Sequence, residues 1–303
     1  MDFTPEESQQ AVAGLAAEVL TAADPWKELA KAGLLSLGVL DTTTLLTEIG
    51  RRAPGIAMKA LTTLMTGAFP LDRWGSEQDR EAFVPGVEAG ELTLTSAVRE
   101  APLADEAARI LVPVATGVAL VDPRSSGTTL TRIPTSSGYP SFLVQLDPEQ
   151  DLVMLGDLGC AADLEQLAVA GACALIDGAV AGALALTRDH VATRRQFGRP
   201  LAEFQAVSQQ IADVYIASRT IHLATLSACW RVDTDRDADA DLGVASYWCA
   251  RQASIAVRLC HHLHGGLGMD VTYPLHRFSA LVADLTRYLG GTEYRLERLC
   301  SST

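Results

Sequence analysis

The segment "TRRQFGRPLAEFQ", residues 193–205, holds the first residues that could do chemistry, because three arginines surround a Phe-Gly pair. They are Arg194, Arg195 and Arg199, in a chain with a formal net charge of -13. A guanidinium group keeps its charge and can bond two oxygens of a phosphate or carboxylate at once. The cluster therefore predicts a site for a small anionic ligand. A solvated helix end is the alternative that charge alone leaves open.

Composition excludes several classes of function. An acidic chain lacks the basic face that nucleic acid requires, so we expect no nucleic-acid partner. No run reaches the roughly 18 apolar residues of a membrane span, and the N-terminus "MDFTPEESQQ" is unlike a signal or transit peptide. The six cysteines form no CxxC pair and lie mostly among apolar residues, which favours buried thiols in a reducing compartment. We expect a cytoplasmic protein without a membrane span.

The first 90 residues are predicted to be helical. Thr4 precedes a proline and an acid, a pattern typical of a helix start. Apolar residues then recur at helical spacing: Val12, Leu15, Val19 and Leu20. Residues 25–40 and 41–55 continue this pattern, and residues 76–92 predict one more short helix before a glycine turn. We place an N-terminal helical domain at residues 1–90.

Residues 91–157 change from helical periodicity to short β-rich runs separated by Gly, Pro, Ser and Asp. Such runs and spacers are typical of strands joined by turns. The runs are "LTLTSAV", "RILVPVA", "GVALVDP", "TTLTRIP" and "SFLVQL". We predict a small antiparallel sheet in this reduced middle domain, without a glycine-rich phosphate loop.

Residues 158–303 return to helical texture and predict a four-helix bundle. An alanine-rich stretch without proline is long enough for about nine turns. A second helix starts near Leu201, a third stops at Gly265-Gly266, and a fourth follows Tyr273-Pro274. One face of the second helix is apolar: Phe204, Val207, Ile211, Val214 and Ile221. The fold class is therefore mainly α, with a small β domain between two helical ones.

Four segments resemble the acyl-CoA dehydrogenase family. They are "WGSEQDREAFVPGVEAGELTLTSA", "RRQFGRPLAEFQAVSQQIADVYIASR", "HLHGGLGMDVTYPLHRF" and "YLGGTEYRLERL". The second carries the Arg-x-x-Phe-Gly signature and the third the Gly-Gly-x-Gly signature of that family. The match is specific in the C-terminal half and weaker over the first 160 residues, which are shortened.

The resemblance implies an FAD cofactor whose ADP half lies across a subunit interface. It implies that Arg194 bonds the pyrophosphate of an FAD held mainly by the neighbouring chain. It assigns further FAD contacts to Phe197, Phe204, Gln205, His262, Gly265 and Gly266. Because glycine has no side chain, the Gly265-Gly266 turn would let backbone amides approach a diphosphate closely. His262 occupies the place where the family usually has glutamine.

The catalytic base that the resemblance implies is missing. In most members a glutamate directly precedes the Gly-Thr of the closing segment, whereas "LGGTEY" places Gly291 at the base position. Some members carry the base on the long helix upstream of the arginine turn, where Glu165 is a weak candidate. Counting back from Phe197-Gly198 without gaps places Ala168 there instead. We therefore expect no catalytic residue in this chain.

The middle domain also departs from the family, because "TSAVREAPLADEA" lacks both Thr-Glu-Pro and Gly-Ser-Asp. These losses coincide, whereas the features presented to a neighbour's FAD remain. The chain thus resembles the short subunit of α2β2 acyl-CoA dehydrogenases that act on steroid side-chain CoA thioesters, with a full-length homologue as partner. Two alternatives stay open: a homo-oligomeric enzyme that uses Glu165, and a flavin-free structural or regulatory homologue.

Two polar clusters are interpreted as structural features and not as metal sites. His261, His262 and His264 are crowded, but no carboxylate or cysteine completes a metal set at helical offset, so we expect no metal. The alternating aspartates of residues 233–241 lack the glycine and closing glutamate of a calcium loop and predict a solvated connection.

Overall fold

This computed structural model describes residues 5–301 of the chain. Helices dominate the N-terminal part of this range. The helices are α1 (Glu7–Val19), α2 (Pro25–Lys31), α3 (Val39–Arg52), α4 (Ala57–Ala60), α5 (Phe69–Trp74) and α6 (Glu77–Glu88). A 3₁₀ turn, Pro54–Ile56, leads into α4, and a π-helical segment, Leu61–Ala68, joins α4 to α5. The predicted helical character of this region is confirmed.

Two local predictions for this region need correction. The predicted helix of residues 25–40 ends at Lys31, because the chain turns at Gly33 with a positive φ of 70°; the next helix already starts at Val39. Leu15, expected on the apolar face of α1, is 39% exposed, whereas Val12 and Leu20 are buried. Glu6 and Gln9 form the capping box of α1; Thr4, the predicted cap, lies outside the described residues.

The middle of the chain forms two small sheets instead of one. The strands are β1 (Leu94–Ser96), β2 (Ala101–Pro102), β3 (Arg109–Val114), β4 (Gly117–Val121), β5 (Thr128–Ile133), β6 (Ser141–Leu146) and β7 (Val153–Gly156). One sheet has the order β1-β3-β4-β7 and the other the order β2-β6-β5. The short strands β2 and β7 carry little pattern and were not predicted.

The prediction of a purely antiparallel sheet is wrong for one pair. Strand β1 runs parallel to β3, with Leu94 opposite Arg109 and Ser96 opposite Leu111. Parallel strands need a connection of about a dozen residues or more, and residues 97–108 supply it while forming β2 on the way. All other strand pairs are antiparallel.

The C-terminal part contains five helices where four were predicted. They are α7 (Leu158–Thr193), α8 (Gln205–Asp233), α9 (Asp239–His264), α10 (Leu275–Tyr288) and α11 (Gly291–Ser301). A hairpin of β8 (Arg195–Gln196) and β9 (Arg199–Pro200) and a 3₁₀ turn, Leu201–Glu203, join α7 to α8. A second 3₁₀ turn, Gly265–Met269, follows α9.

Helix α7 is the centre of the molecule. By length and composition it could cross a membrane, but 89% of its most apolar window is buried inside the protein. Glycines bring α3 and α7 into backbone contact: a Cβ built on Gly178 would lie 1.9 Å from the Thr47 carbonyl oxygen.

One hydrophobic cluster joins the N-terminal helices to the bundle. The division at residues 90 and 157 therefore stays a prediction.

Candidate functional site

The three arginines of the opening segment lie on and beside a two-residue β-hairpin. Strands β8 and β9 pair Arg195 with Pro200 and Gln196 with Arg199. The two turn residues, Phe197 and Gly198, both have positive φ, 51° and 83°. Positive φ at both central residues matches the twist of a right-handed hairpin. The segment is therefore a defined projection from the end of α7, and the Phe197 side chain at its tip is 91% exposed.

A groove of about 660 Å³ lies between the C-terminal ends of α7 and α9. We call it the arginine groove. Its polar lining consists of His190, Arg194, Gln210, His262, His264, Gly265 and Gly266. None of the lining residues is acidic, although the chain as a whole carries a formal net charge of -13. An exposed cation in a concave surface without carboxylates attracts an anion.

The two glycines open one wall of this groove. Gly265 ends α9 with φ 59°, a left-handed conformation that favours glycine. A Cβ built on Gly265 or Gly266 would meet no other atom within 4 Å. The backbone at these positions therefore faces open space, which is the condition for close approach of a ligand to the main chain.

A pair of stacked histidines forms the floor of the groove. The rings of His190 and His264 stack with centroids 4.4 Å apart. His264 Nδ1 donates to the carbonyl oxygen of Cys260, so its Nε2 accepts a hydrogen bond from the Tyr273 hydroxyl. Burial lowers the pKa of both histidines, and the neighbouring positive charge of Arg194 lowers that of His190 further. Both rings are thus held in the neutral form near neutral pH.

The other histidines of this region have separate roles. His261 bonds the carbonyl oxygen of Gly268 through Nδ1 and the Ser279 hydroxyl through Nε2, which ties α9 to α10. His262 is exposed on the groove wall. Within residues 5–301, no three His, Cys, Asp or Glu side chains lie together as a metal ion would require.

The predicted FAD contacts divide into two sets. The groove brings together Arg194, His262, Gly265 and Gly266. Phe197, Phe204 and Gln205 do not line it. They lie on the hairpin side, where Phe204 packs edge-on to Phe197 at 6.2 Å and under the Arg199 guanidinium at 4.1 Å. The second set therefore faces outward.

Sequence reasoning missed His190, His264 and Gln210 as lining residues. A signal for His190 was present. It lies in the last turn of α7, four residues before Arg194, which caps the helix. Residues at this spacing on a helix share a face. No comparable signal marked Gln210, since its position depends on how α8 packs beside α9.

The position of the missing base needs a correction by one residue. The closing segment contains Gly291-Thr292, so the residue directly before the Gly-Thr pair is Gly290 and not Gly291. Both glycines join α10 to α11 with positive φ, 90° and 83°. A Cβ on Gly290 would lie 2.7 Å from the Tyr294 ring. Neither position has a side chain that could accept a proton.

The candidate Glu165 lies near the start of α7 among arginines. Its Oε1 is 3.5 Å from Nη2 of Arg99 and 3.8 Å from Nη2 of Arg298. Ala168, the position given by counting, is almost fully buried one turn further along α7. Glu165 is therefore an ion-paired side chain on this face of the protein.

The polar groups of the shortened middle segment bond inside the protein. Thr95 donates to the Pro102 carbonyl oxygen at 2.7 Å, and Ser96 donates to Thr66 at 2.9 Å. Glu100 is buried and accepts two hydrogen bonds from Arg287, at 3.0 and 3.1 Å. These side chains connect the β region to the helices and are not available to a ligand.

Known proteins resemble this chain over its full length. The family model described as the acyl-CoA dehydrogenase C-terminal domain matches residues 160–300. The chain is 40% identical to the acyl-CoA dehydrogenase FadE28 of Mycobacterium tuberculosis, with 100% of both chains covered.

Solved structures give the same result. The ChsE4-ChsE5 complex from Mycobacterium tuberculosis superposes with a TM-score of 0.90 at 26% identity, covering 99% of this chain and 98% of that one. A variant of the Tcur3481-Tcur3483 steroid ACAD gives a TM-score of 0.87 at 26% identity, with 97% of each chain covered. The fold predicted from sequence is confirmed. The full-length match at 40% identity shows that this chain belongs to the acyl-CoA dehydrogenase family.

Proposed function

We propose that this chain is the non-catalytic subunit of a heteromeric acyl-CoA dehydrogenase and binds the ADP half of an FAD held mainly by its partner. The observation that carries the proposal is the separation of two features in one chain. The arginine groove offers a cation and open backbone at the surface, whereas the base position is glycine. Two of the structural relatives are named as two-component assemblies.

The groove fits a diphosphate. FAD is the cofactor of the family, and its ADP half carries two negative phosphates. Arg194 would bond the phosphate oxygens through its guanidinium fork, and the open wall at Gly265-Gly266 would admit them to the main chain. The exposed Phe197 and the half-buried Phe204 would lie against the cofactor or the partner chain, with Gln205 as a polar contact beside them.

The chemistry of the reaction belongs to the cofactor and the partner. When bound, FAD accepts the β-hydrogen of an acyl-CoA as a hydride while a base removes the α-proton. This chain has no side chain at the base position, and Glu165 is paired with two guanidinium groups. Its own contribution is to hold the diphosphate and to orient the cofactor toward the partner's active site.

The test is the visible absorption spectrum of the purified chain, alone and co-purified with a full-length homologue encoded nearby. We expect a colourless chain alone and a yellow complex with about half an equivalent of FAD per chain. A chain that is yellow and active by itself would overturn the proposal and return Glu165 to the role of base.

The substrate is proposed to be a steroid side-chain CoA thioester. The support is the similarity to a steroid ACAD, together with a first half of the chain that is shorter than the family pattern and leaves room for a bulky acyl group. The complex should dehydrogenate a steroid CoA ester much faster than a straight-chain acyl-CoA. Equal rates on both substrates would contradict this specificity.

A further inference from the structure

A second arginine site lies far along the chain from the arginine groove, on α11. Arg295 is only 5% exposed, one of the least exposed charged residues of the described chain. Its Nε donates to the Leu289 carbonyl oxygen at 2.6 Å, and its guanidinium lies 5.3 Å from the centre of the Tyr294 ring.

The remaining polar atoms of Arg295 have no protein partner within residues 5–301. No carboxylate in that range forms an ion pair with this guanidinium, and its two terminal nitrogens make no hydrogen bond. Burial lowers the pKa of Arg295, and the nearby positive charge of Arg99 lowers it further. Arginine nevertheless keeps its proton in proteins, and the Glu165 carboxylate favours this charge without forming an ion pair with the guanidinium.

Arg295 lines a pocket of about 200 Å³ between α7, α9 and α11. Arg298, one turn further along α11, lines the same pocket, as do Gln166, Ser246 and Asp239. The Gln166 amide donates to Asp239 Oδ1 at 3.0 Å, so this carboxylate already has a partner on the wall. Glu165 lies on the wall, where it is paired with Arg99 and Arg298. We call this cavity the Arg295 pocket.

Buried guanidinium nitrogens without hydrogen-bond partners are costly, and replacing a buried charge with an apolar side chain of similar size is often neutral or stabilising. The two unbonded nitrogens of Arg295 therefore leave donors that an anion in the pocket would satisfy. The free terminal nitrogens of a guanidinium form a fork that matches two oxygens of one group.

We propose that the Arg295 pocket binds a small oxyanion, a short-chain carboxylate or inorganic phosphate, bonded by the terminal nitrogens of Arg295 and attracted by Arg298. A volume of about 200 Å³ accommodates an anion of this size, whereas a nucleotide or a coenzyme A thioester is too large. The site is separate from the arginine groove and does not rest on the proposed function.

The test is the thermal stability of the full-length chain in sodium phosphate and in sodium acetate, each compared with sodium chloride at equal ionic strength. A ligand that binds only the folded state raises the melting temperature in proportion to the logarithm of its concentration once that concentration exceeds the dissociation constant. We expect this logarithmic rise for wild type in the millimolar range with at least one of the two anions. Arg295→Met should lose the logarithmic part, with apparent affinity weakened roughly tenfold or more.

The controls separate binding from a general salt effect. Phosphate also stabilises folded proteins by exclusion from their surface, so Arg124→Met, in the exposed turn after β4, must respond as wild type does. Arg298→Gln should weaken the response less than Arg295→Met, and it keeps the test decisive if Arg295→Met does not fold.

Equal responses in wild type, Arg295→Met and Arg298→Gln would mean surface exclusion only and would overturn the proposal. The absence of any response in wild type to both anions would overturn it as well. A logarithmic response that depends on both arginines would establish the site.

Discussion

The two ends of α7 present arginine in opposite settings. At the C-terminal end, Arg194 is exposed beside neutral histidines and open glycine backbone. At the N-terminal end, arginines surround Glu165, and Arg295 of α11 is buried. The first setting suits a large anion that arrives from outside the chain, and the second suits internal ion pairing or a small anion. One helix thus presents arginines in an open groove at one end and in a buried, ion-paired environment at the other.

The largest effect is expected on FAD binding when the exposed Arg194 is replaced. In the purified complex, Arg194→Ala should raise the FAD dissociation constant roughly tenfold to a hundredfold, because a charge-assisted hydrogen bond to phosphate is lost. Flavin fluorescence on dilution measures it. Arg188→Ala is the matched control, since that side chain pairs with Asp189 and lines a different groove. Unchanged FAD content and activity in Arg194→Ala would favour the flavin-free homologue.

Glycine substitutions should change the free energy of unfolding more between α10 and α11 than in the arginine groove. Gly290→Ala should lower the free energy of unfolding by roughly 1–3 kcal/mol, because alanine is strained at positive φ and its Cβ would meet Tyr294. Gly266→Ala has neither problem and should change it by about 0.5 kcal/mol or less. Urea unfolding of both variants decides. Equal losses would show that the left-handed conformation at Gly290 is not what requires glycine.

Acidification should affect the groove end of α7 through its histidines. The folded-state pKa values of His190 and His264 lie below the ordinary 6.5, first because of burial. Below that pH the unfolded chain binds protons that the folded chain excludes, so stability is full above about pH 6.5 and falls as pH decreases. The melting temperature should drop by a few degrees as the pH falls below about 6.5. In the double variant His190→Gln, His264→Gln, the melting temperature should depend less on pH. The same dependence of melting temperature on pH in the double variant and in wild type would contradict this.

The smallest effect is expected at the other end of the helix. Glu165→Gln should leave turnover of the complex within about twofold of wild type, because under the proposed function a base of the partner would remove the proton. Steady-state rates at saturating substrate measure it. Loss of activity greater than about a hundredfold would identify Glu165 as the base and make the chain a catalyst in its own right.

Periodicity and signature spacing predicted the parts of the fold that local sequence controls. The long α7, the turn at Gly265 and the strands β3 to β6 all have clear apolar patterns and breaker residues. The π-helical segment 61–68, the strand β2 and the parallel pairing of β1 were not predicted. These features depend on contacts between distant segments, such as Thr63 with the Leu94 carbonyl oxygen, and leave no local pattern.

The candidate site divides in the same way. Arg194, Gly265 and Gly266 lie in short sequence signatures, from which they were predicted. His190 and Gln210 reach the groove only through the packing of α7, α8 and α9. Arg295 gave no signal at all, because nothing in the sequence of α11 distinguishes a buried arginine from the exposed Arg298.

The left-handed glycines between α10 and α11 limit how this lineage can change. Two of the four glycine codons become glutamate codons by a single nucleotide change, so Gly290→Glu needs one or two such changes. The backbone there has φ 90°, and any Cβ would meet the Tyr294 ring. A carboxylate introduced at Gly290 would therefore stand on a strained connection in a destabilised protein. Building a base into this turn would need a compensating change at Tyr294 first.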